Sequence, residues 1–196
     1  VTEFKTAKVG KSVSVAGITD YMQNKSVPHL LSGSGNLINV PMPIETLKPD
    51  VSSSQANSMG IAERIGIGTS LFHGSIANRI FNIQLAVSRL NGILIKPGES
   101  FSFDNAVGDI SSLTGYKQAY VIQNGRTVLG DGGGICQVST TFFRAILNAG
   151  MPVLERHPHA YRVHYYEEDS APGIDAAIYT PTVDLKFKND SGHYIL

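Results

Sequence analysis

The most constraining feature of the sequence is a run of glycines at 132–134, followed after one residue by Cys136, the sole cysteine of the 196 residues. Glycine adopts positive φ and lets the backbone approach other groups closely, so the run predicts a tight turn. Helical spacing follows, which places Cys136 in the first turn of a helix. The unpaired N–H groups and the positive dipole end there favour a thiolate, and they could also receive an oxyanion.

Cys136 is therefore a candidate nucleophile for covalent catalysis, although a structural interpretation stays open. Lone cysteines are often small, buried apolar side chains, and a glycine run before a helix is often only a turn. A catalytic thiol also needs a neighbouring base, and usually a third group that orients the base.

Histidines after the cysteine helix supply candidates for that base. His157 and His159 are two residues apart, so in an extended segment they point the same way, and one or both could face Cys136. His164 is a third candidate. The alternative is that these imidazoles cap strand ends or pair with nearby glutamates, namely Glu155, Glu167 and Glu168.

Two carboxylates could orient the base: Asp175, which follows a glycine turn, and Asp184, which is expected on the polar face of a strand. A zinc site is the competing interpretation, since Cys136, His157 and His159 are all possible zinc ligands. The sequence offers no second cysteine, no His-Glu-x-x-His and no close set of carboxylates. A metal is therefore not expected.

Apolar spacing predicts two main helices. The first covers 75–91, with Ser75 as its cap and Gly92 at its end, and its apolar stripe is Ile76, Ile80, Ile83, Val87 and Leu90. The second follows Cys136 and stops at Gly150, shortly before Pro152. Its apolar face is Val138, Phe142, Ile146 and Ala149.

Strand patterns surround these helices. Residues 97–103 predict a turn and a strand with Phe101 and Phe103 on one face, and Asn124-Gly125 predicts a hairpin between 120–122 and 127–129. Further strands are predicted at 153–157, 162–166, 176–179 and 183–187. The main helices come early in the chain and most of the strands come late, which predicts an α+β fold. We expect a mainly antiparallel sheet with a few helices, and Cys136 at the N-terminus of one of them.

The first 50 residues have a different character. They predict short strands broken by turns, and Pro41, Pro43 and Pro49 predict an extended connector. We expect residues 1–55 to be a linker or the end of a preceding domain, and 56–196 to be the second region. The predicted strand residues are Val13, Val15, Ile18, Leu37, Ile38 and Val40.

Charge and composition exclude several classes of protein. Lys+Arg and Asp+Glu are both 16, so the net charge is zero and no basic footprint for nucleic acid is present. One cysteine cannot form an internal disulfide, and no apolar run of about 18 residues predicts a membrane span. The first residue is Val1 rather than methionine, so a processed chain is expected, from which an anchor could have been removed.

Taken together, the motifs resemble the VanW family, named after an accessory protein of glycopeptide-resistance clusters. The resemblance extends across most of the chain after residue 60. The matching motifs occur in the family's order: NR at 78–79 with NI at 82–83, PGESFSF at 97–103, VG at 107–108, GY at 115–116, GGGICQVSTT at 132–141, ERH at 155–157 with His159, DA at 175–176, and DLKFKN at 184–189.

The resemblance implies a cell-wall enzyme. Some VanW-domain proteins of Gram-positive anaerobes are understood to be cysteine L,D-transpeptidases of peptidoglycan, unrelated in fold to YkuD-type enzymes. On this expectation residues 56–196 are the catalytic domain, and 1–55 are the tail of a peptidoglycan-binding-like domain or a linker. Peptidoglycan stem peptides are the expected partners at the extracellular face of the envelope, and no metal or organic cofactor is expected.

The implied reaction begins with attack of Cys136 on the carbonyl of the third residue of a tetrapeptide stem. A thioester forms as D-Ala leaves, and the side-chain amine of a second stem then gives a 3→3 cross-link. N–H groups near Cys136 and Gln137 are expected to hold the oxyanion. The expected catalytic residues are Cys136, His159 before His157 as the base, and Asp184 or Asp175 as its orienter.

The motifs also imply substrate-binding residues: Gly133, Gly134, Gln137, Ser139, Arg79, Arg156 and Tyr116. On the helical pattern alone, Arg79 and Asn82 border an apolar stripe and could position a substrate carboxylate, but they more naturally tie the helix to a loop. Two other functions stay open. One is a non-catalytic peptidoglycan-binding accessory module, and the other is a cysteine peptidase or carboxypeptidase acting on stems.

Overall fold

The computed structural model describes residues 8–33, 39–49, 52, 58–123 and 125–196. The chain divides into two compact units, Val1–Met59 and Gly60–Leu196. The elements of the first unit are β1 (Gly10–Val13), α1 (Val15–Tyr21), a π-helical turn (Met22–Ser26), α2 (Val27–Leu31) and β2 (Ile44–Leu47). Strands β1 and β2 pair antiparallel.

Part of the predicted strand structure in this unit is wrong. Val15 and Ile18 lie in α1 rather than in a strand. Ser14 starts that helix, because its Oγ accepts a hydrogen bond of 3.2 Å from the N–H three residues on, as helix-capping serines do. Of the other predicted positions, Val13 lies in β1, Val40 belongs to no strand, and Leu37 and Ile38 are outside the described residues.

The second unit carries the predicted α+β architecture. Its elements are α3 (Ala77–Leu90), β3 (Ser100–Ser102), α4 (Phe103–Val107), a 3₁₀ turn (Ser112–Thr114), β4 (Gln118–Gln123), β5 (Arg126–Asp131), α5 (Ile135–Asn148), β6 (Val153–Glu155), a second 3₁₀ turn (His164–Tyr166) and β7 (Lys186–Lys188). Among the described residues, no helix is long and apolar enough to cross a membrane.

All strand pairs of the second unit are antiparallel, which confirms the predicted fold class. β7 lies between β3 and β6, and Phe101 stands opposite Phe187. β4 and β5 form a separate hairpin with Tyr120 opposite Leu129. Gly125 lies in the hairpin turn as predicted, and Asn124 is outside the described residues.

An aromatic cluster joins the three-stranded sheet to α5. The ring of Phe142 on α5 makes edge contacts with Phe101 and Phe187, at centroid distances of 5.2 and 5.8 Å. Phe103 and Leu185 beside them are fully buried. Aromatic pairs in this geometry stabilise a core beyond the area that they bury.

Helix α5 is buried along much of its length, and several of its buried side chains are polar. Gln137 donates a hydrogen bond of 2.7 Å to the carbonyl of Leu71. Arg144 donates to the carbonyls of Thr69 and Ile174, at 2.7 and 3.2 Å. Each carbonyl belongs to a loop without regular structure, and buried polar groups need such partners. The polar face of α5 therefore fixes loops that no sheet supports.

Several local predictions differ from the structure. Phe103 begins α4, residues 162–166 form a loop with a 3₁₀ turn, and 176–179 contribute only an isolated bridge between Tyr179 and Val183. The Oγ of Ser75 accepts a hydrogen bond from Arg79 instead of capping α3, and Ile76 holds the cap position without a side-chain bond.

Asn82 connects α3 to the glycine run. Its side chain is fully buried, donates to the carbonyls of Lys117 and Gly133 at 2.8 and 3.0 Å, and accepts from the Lys117 N–H at 2.8 Å. We predict that Asn82→Ala lowers the free energy of unfolding by about 3 kcal/mol, because it leaves these buried backbone groups unpaired. Urea unfolding followed by circular dichroism measures the change.

Asn78 provides the matched control, one turn earlier on the same helix. It is exposed and makes one hydrogen bond of 3.0 Å to the Gln118 carbonyl. Asn78→Ala should cost less than about 1 kcal/mol. Equal losses for the two variants would contradict the role assigned to Asn82.

Candidate active site

The glycine run forms the turn that presents the cysteine. Gly132 and Gly134 have φ of 78° and 113°, and Gly134 is the N-cap of α5. Gly133 packs against β4 so closely that an added Cβ would lie 2.6 Å from the carbonyl oxygen of Tyr120. Side chains larger than hydrogen are excluded at this position, so the turn holds a fixed path into the helix.

Cys136 is the second residue of α5, as predicted, and its thiol is free and partly exposed. Its Sγ lies 3.6 Å from the carbonyl oxygen of Ile178. In the described part of the chain, no hydrogen bond engages the Cys136 N–H. The Gln137 N–H donates to the Gly134 carbonyl at 3.0 Å, so of the two N–H groups expected to hold an oxyanion it already has a partner.

His159 lines the same groove as Cys136, whose hydrogen bond and charge help to raise the pKa of its imidazole. Only 4% of its side chain is exposed, and its Nδ1 lies 2.5 Å from Oδ2 of Asp175. The same oxygen accepts a hydrogen bond of 2.9 Å from the His159 N–H. Tyr166 packs edge-on against the imidazole, at 5.5 Å between ring centroids. These contacts place Cys136, His159 and Asp175 in the sequence expected for a nucleophile, its base and the group that orients the base.

The charges of this set favour an ionised pair. Burial alone would lower the pKa of His159, but the hydrogen bonds and charges of Cys136 and Asp175 outweigh burial and raise that pKa above its usual value. Burial alone would raise the pKa of Asp175, but contacts with His159 and the charge of Arg156 lower it. Both shifts favour the charged forms, an imidazolium and a carboxylate.

Arg156 holds the other oxygen of the Asp175 carboxylate. Its guanidinium contacts Oδ1 at 3.0 Å and donates to the carbonyls of Asp175 and Gly173 at 2.6 and 2.7 Å. It also stacks over the ring of Phe143, at 5.3 Å from the centroid. The geometry makes Arg156 a group that positions Asp175, whereas the sequence motif had suggested contact with substrate.

Helix α5 also fixes the segment that carries Asp175. Ser139, one turn after Cys136, donates to the carbonyl of Ala176 at 2.7 Å, and Thr140 accepts from the Ala176 N–H at 3.1 Å. Ala176 directly follows Asp175 in the chain. The nucleophile and the carboxylate are thus tied to the same turns of one helix.

The alternative catalytic residues lie elsewhere. His157 is 47% exposed and points to Glu155, with 3.2 Å between Nε2 and Oε1. Asp184 is buried, contrary to its expected place on an exposed polar face. Its carboxylate accepts hydrogen bonds from Ser102 and from the N–H groups of Asp104 and Leu185. Asp175, and not Asp184, is therefore the carboxylate that contacts His159.

Several expected substrate-binding residues are buried instead. The side chains of Gln137 and Ser139 donate hydrogen bonds to backbone carbonyls of neighbouring loops, and Gly133 packs closely against β4. Tyr116 is 2% exposed, with the Arg89 guanidinium over its ring. These four residues shape the site without facing it. Gly134 and Arg79 do line the groove that holds Cys136.

That groove encloses about 530 Å³. Aromatic residues missed in the sequence form part of its wall: Tyr165 and Tyr166 are adjacent in a 3₁₀ turn, with ring centroids 4.8 Å apart. In a strand, neighbouring side chains point to opposite faces. Because the sequence predicted a strand here, it did not predict that the two tyrosines line the same groove. The other lining residues include Ile110, Tyr120, Ile122, Ile178, Tyr179, Thr180, Pro181 and the carboxylates Asp109 and Asp131.

Metal ligation was the competing interpretation of the cysteine and histidines. In the described residues, no three His, Cys, Asp or Glu side chains come together in a way that could hold a metal ion. His157 faces Glu155, away from the proposed ligand set. The arrangement instead suits acyl transfer, in which the thiol attacks a carbonyl and the imidazole moves protons.

The ion pair predicts a titration that can be measured. Asp175→Asn removes a negative charge that favours the imidazolium, while burial, which opposes it, remains. The pKa of His159 should therefore fall, and it should fall also in Cys136→Ala. The measurement is an NMR titration of the His159 ring protons. Asp184→Asn, which keeps the shape of the other candidate carboxylate, should leave that pKa unchanged, and the reverse pattern would contradict the assignment.

Comparison with known proteins places the chain in a family. A family model described as VanW like protein matches residues 78–196. The vancomycin B-type resistance protein VanW of Enterococcus faecalis is 38% identical over 117 residues, which cover 58% of this chain and 42% of that protein. The protein YoaR of Bacillus subtilis is 35% identical over 134 residues, covering 68% and 43%.

The matched segments thus span less than half of either relative. No solved structure matches the chain significantly. The family match begins in α3, continues through the glycine run, Cys136 and His159, and reaches the last residue. Since it covers more than half of the sequence, this chain belongs to the VanW family.

Proposed function

We propose that this protein is a cysteine-dependent L,D-transpeptidase that forms 3→3 cross-links in peptidoglycan by acyl transfer from tetrapeptide stems. The observation that carries the proposal is the succession of contacts from Cys136 to His159, which both line the groove, and from His159 to Asp175. Membership of the VanW family supports a role at the cell wall, as does the name of the Enterococcus faecalis relative, a vancomycin resistance protein.

In the acylation step, the Cys136 thiolate attacks the carbonyl carbon of the third residue of a donor stem. The oxyanion forms near the unpaired Cys136 N–H, where the start of α5 favours negative charge. The C–N bond to D-Ala then breaks, and His159 gives its proton to the leaving amine. A thioester remains, and D-Ala departs as the free amino acid.

In the second step, an acceptor amine resolves the thioester. His159, now neutral, takes a proton from the side-chain amine of a neighbouring stem as that amine attacks. The new amide is the cross-link, and Cys136 leaves as the thiolate beside an imidazolium. Asp175 favours that imidazolium in both steps. Water in place of the amine would give carboxypeptidase activity.

The surroundings proposed for this reaction follow from its substrate. Peptidoglycan stems lie outside the cytoplasmic membrane, so the protein is proposed to act at the extracellular face of the envelope. Residues 1–55 are proposed to belong to a peptidoglycan-binding-like domain or a linker. Nucleic acid is not a proposed partner, since the net charge is zero.

The second candidate function is a non-catalytic module that holds stem peptides in the same groove. It is favoured by the number of motif residues that are buried and structural, such as Gln137 and Ser139. A cysteine peptidase of the polymer is the other enzymatic alternative. A transpeptidase makes cross-links, a peptidase splits them, and an accessory module changes neither.

The test is a mass-spectrometric assay with disaccharide-tetrapeptide muropeptides. We predict a dimer that has lost one D-Ala, and no such product with Cys136→Ala. His159→Gln should lower the rate by at least about 100-fold, because general acid–base catalysis contributes factors of this size. His157→Gln is the matched control, and it should keep the rate within about 2-fold, since its imidazole points to Glu155.

Each other outcome has a definite meaning. Loss of D-Ala without dimer would assign a carboxypeptidase, and cleavage of preformed dimers would assign a peptidase. Unchanged muropeptides, with binding retained by the parent protein and by Cys136→Ala, would reject the enzyme and favour the accessory module.

A further inference from the structure

Arg79 is a cation in the groove that the proposed chemistry leaves unused. Its guanidinium donates hydrogen bonds to Ser75 Oγ at 2.8 Å and to Gln137 Oε1 at 2.7 Å, and it lies 5.1 Å from the ring centroid of Tyr165. A guanidinium has five N–H donors, so these two bonds leave others for a ligand. In the described part of the chain, no carboxylate forms an ion pair with Arg79.

The side chain is held in place by groups that are themselves fixed. Gln137 is 1% exposed and donates to the Leu71 carbonyl at 2.7 Å and to Ser70 Oγ at 3.1 Å. Its amide oxygen is therefore directed at Arg79 by the backbone of the neighbouring loop. An arginine that is oriented but not neutralised is prepared to bind an anion with little loss of side-chain entropy.

Arg79 stands close to the nucleophile. A Cβ added to Gly134, two residues before Cys136, would lie 3.1 Å from Cγ of Arg79. Arg79, Tyr120 and Tyr165 also line a second pocket of about 290 Å³, so they form the wall that the two spaces share. Asp109 and Asp131 line the main groove but not this second pocket. A peptide carboxylate is thus attracted toward Arg79 and repelled from the two aspartates.

We propose that Arg79 binds the free terminal carboxylate of the donor peptide, and so selects donors that end one residue beyond the scissile carbonyl. This inference rests on the proposed function, whose substrate it specifies. A planar guanidinium matches a carboxylate with two parallel N–H···O bonds, which a lysine ammonium does not reproduce. Each residue of a peptide extends only about 3.3–3.6 Å, so an anion site in the same groove as Cys136 favours a short leaving segment over a long one.

The experiment measures binding rather than turnover. Cys136→Ala cannot form the thioester, so its affinity by titration calorimetry reports recognition alone. The probes are a synthetic stem tetrapeptide, with lysine third and D-Ala fourth, and the same peptide with a C-terminal amide. All other charges are common to the two ligands. We expect the free acid to bind about 10- to 100-fold more tightly, the range for a charge-assisted hydrogen-bonded contact.

Variants then assign that preference. Adding Arg79→Gln to Cys136→Ala should reduce the preference to about 2-fold or less, and adding Arg79→Lys should keep part of it. Arg126→Gln is the matched control, since Arg126 is exposed on β5 and does not line the groove. This variant removes the same charge and should retain the full preference.

Three outcomes would overturn the inference. They are equal binding of acid and amide by Cys136→Ala, a preference that survives Arg79→Gln, and an equal loss of affinity for both ligands. The last would assign Arg79 a structural role through Gln137. A carboxylate preference that depends on Arg79, without any cross-linked or shortened muropeptide, would instead support the carboxylate site and reject the proposed enzyme, so the two failures are distinguishable.

Discussion

The polar face of α5 is the constraint on which the rest of the second unit depends. The strands of this unit are short, and several described segments near the groove, such as the one that carries Asp175, are loops whose backbone needs hydrogen-bond partners outside a sheet. Ser139, Thr140 and Arg144 supply those partners from inside the core. A helix usually contributes an apolar face to such a core, but here its buried hydrogen bonds also determine where the loops run.

This arrangement explains why the family motif extends beyond the cysteine. The side chains of Gln137 and Ser139 are enclosed and touch loop atoms, so their part in the site is to locate Arg79 and the segment of Asp175. Asp175 is held from two sides, by His159 at one carboxylate oxygen and by Arg156 at the other. A carboxylate held in this way has its orientation fixed by two side chains as well as by the loop that carries it.

The sequence predicted those parts of the site that depend on local spacing. The glycine run, the helix start at Cys136 and the β4–β5 hairpin are all readable because turn chemistry and periodicity act over a few residues. His157 and His159 are two residues apart, and their spacing predicts the same direction for both side chains. Only the His159 side chain is buried, because the path of the loop decides which imidazole faces the groove.

The choice between carboxylates depended on distant contacts as well. Alternation placed Asp184 on an exposed face, but the N–H groups of Asp104 and Leu185 draw its carboxylate into the core. Asp175 had no periodic signal, because its position comes from the hydrogen bond between the next residue, Ala176, and α5 and from its own hydrogen bonds to Arg156. Likewise, Tyr165 and Tyr166 line the groove because they lie in a 3₁₀ turn. The sequence pattern of this segment had instead predicted a strand.

The near-complete enclosure of His159 bears on proton exchange with the solvent. Only 4% of its side chain is exposed, and the ring lines two pockets: the groove next to Cys136, and a cavity of about 270 Å³ that Asp175 also lines. In the proposed reaction, a peptide lying over the thiol would cover the groove side of the ring. On that side the leaving amine, rather than water, would then be the acceptor of the imidazolium proton.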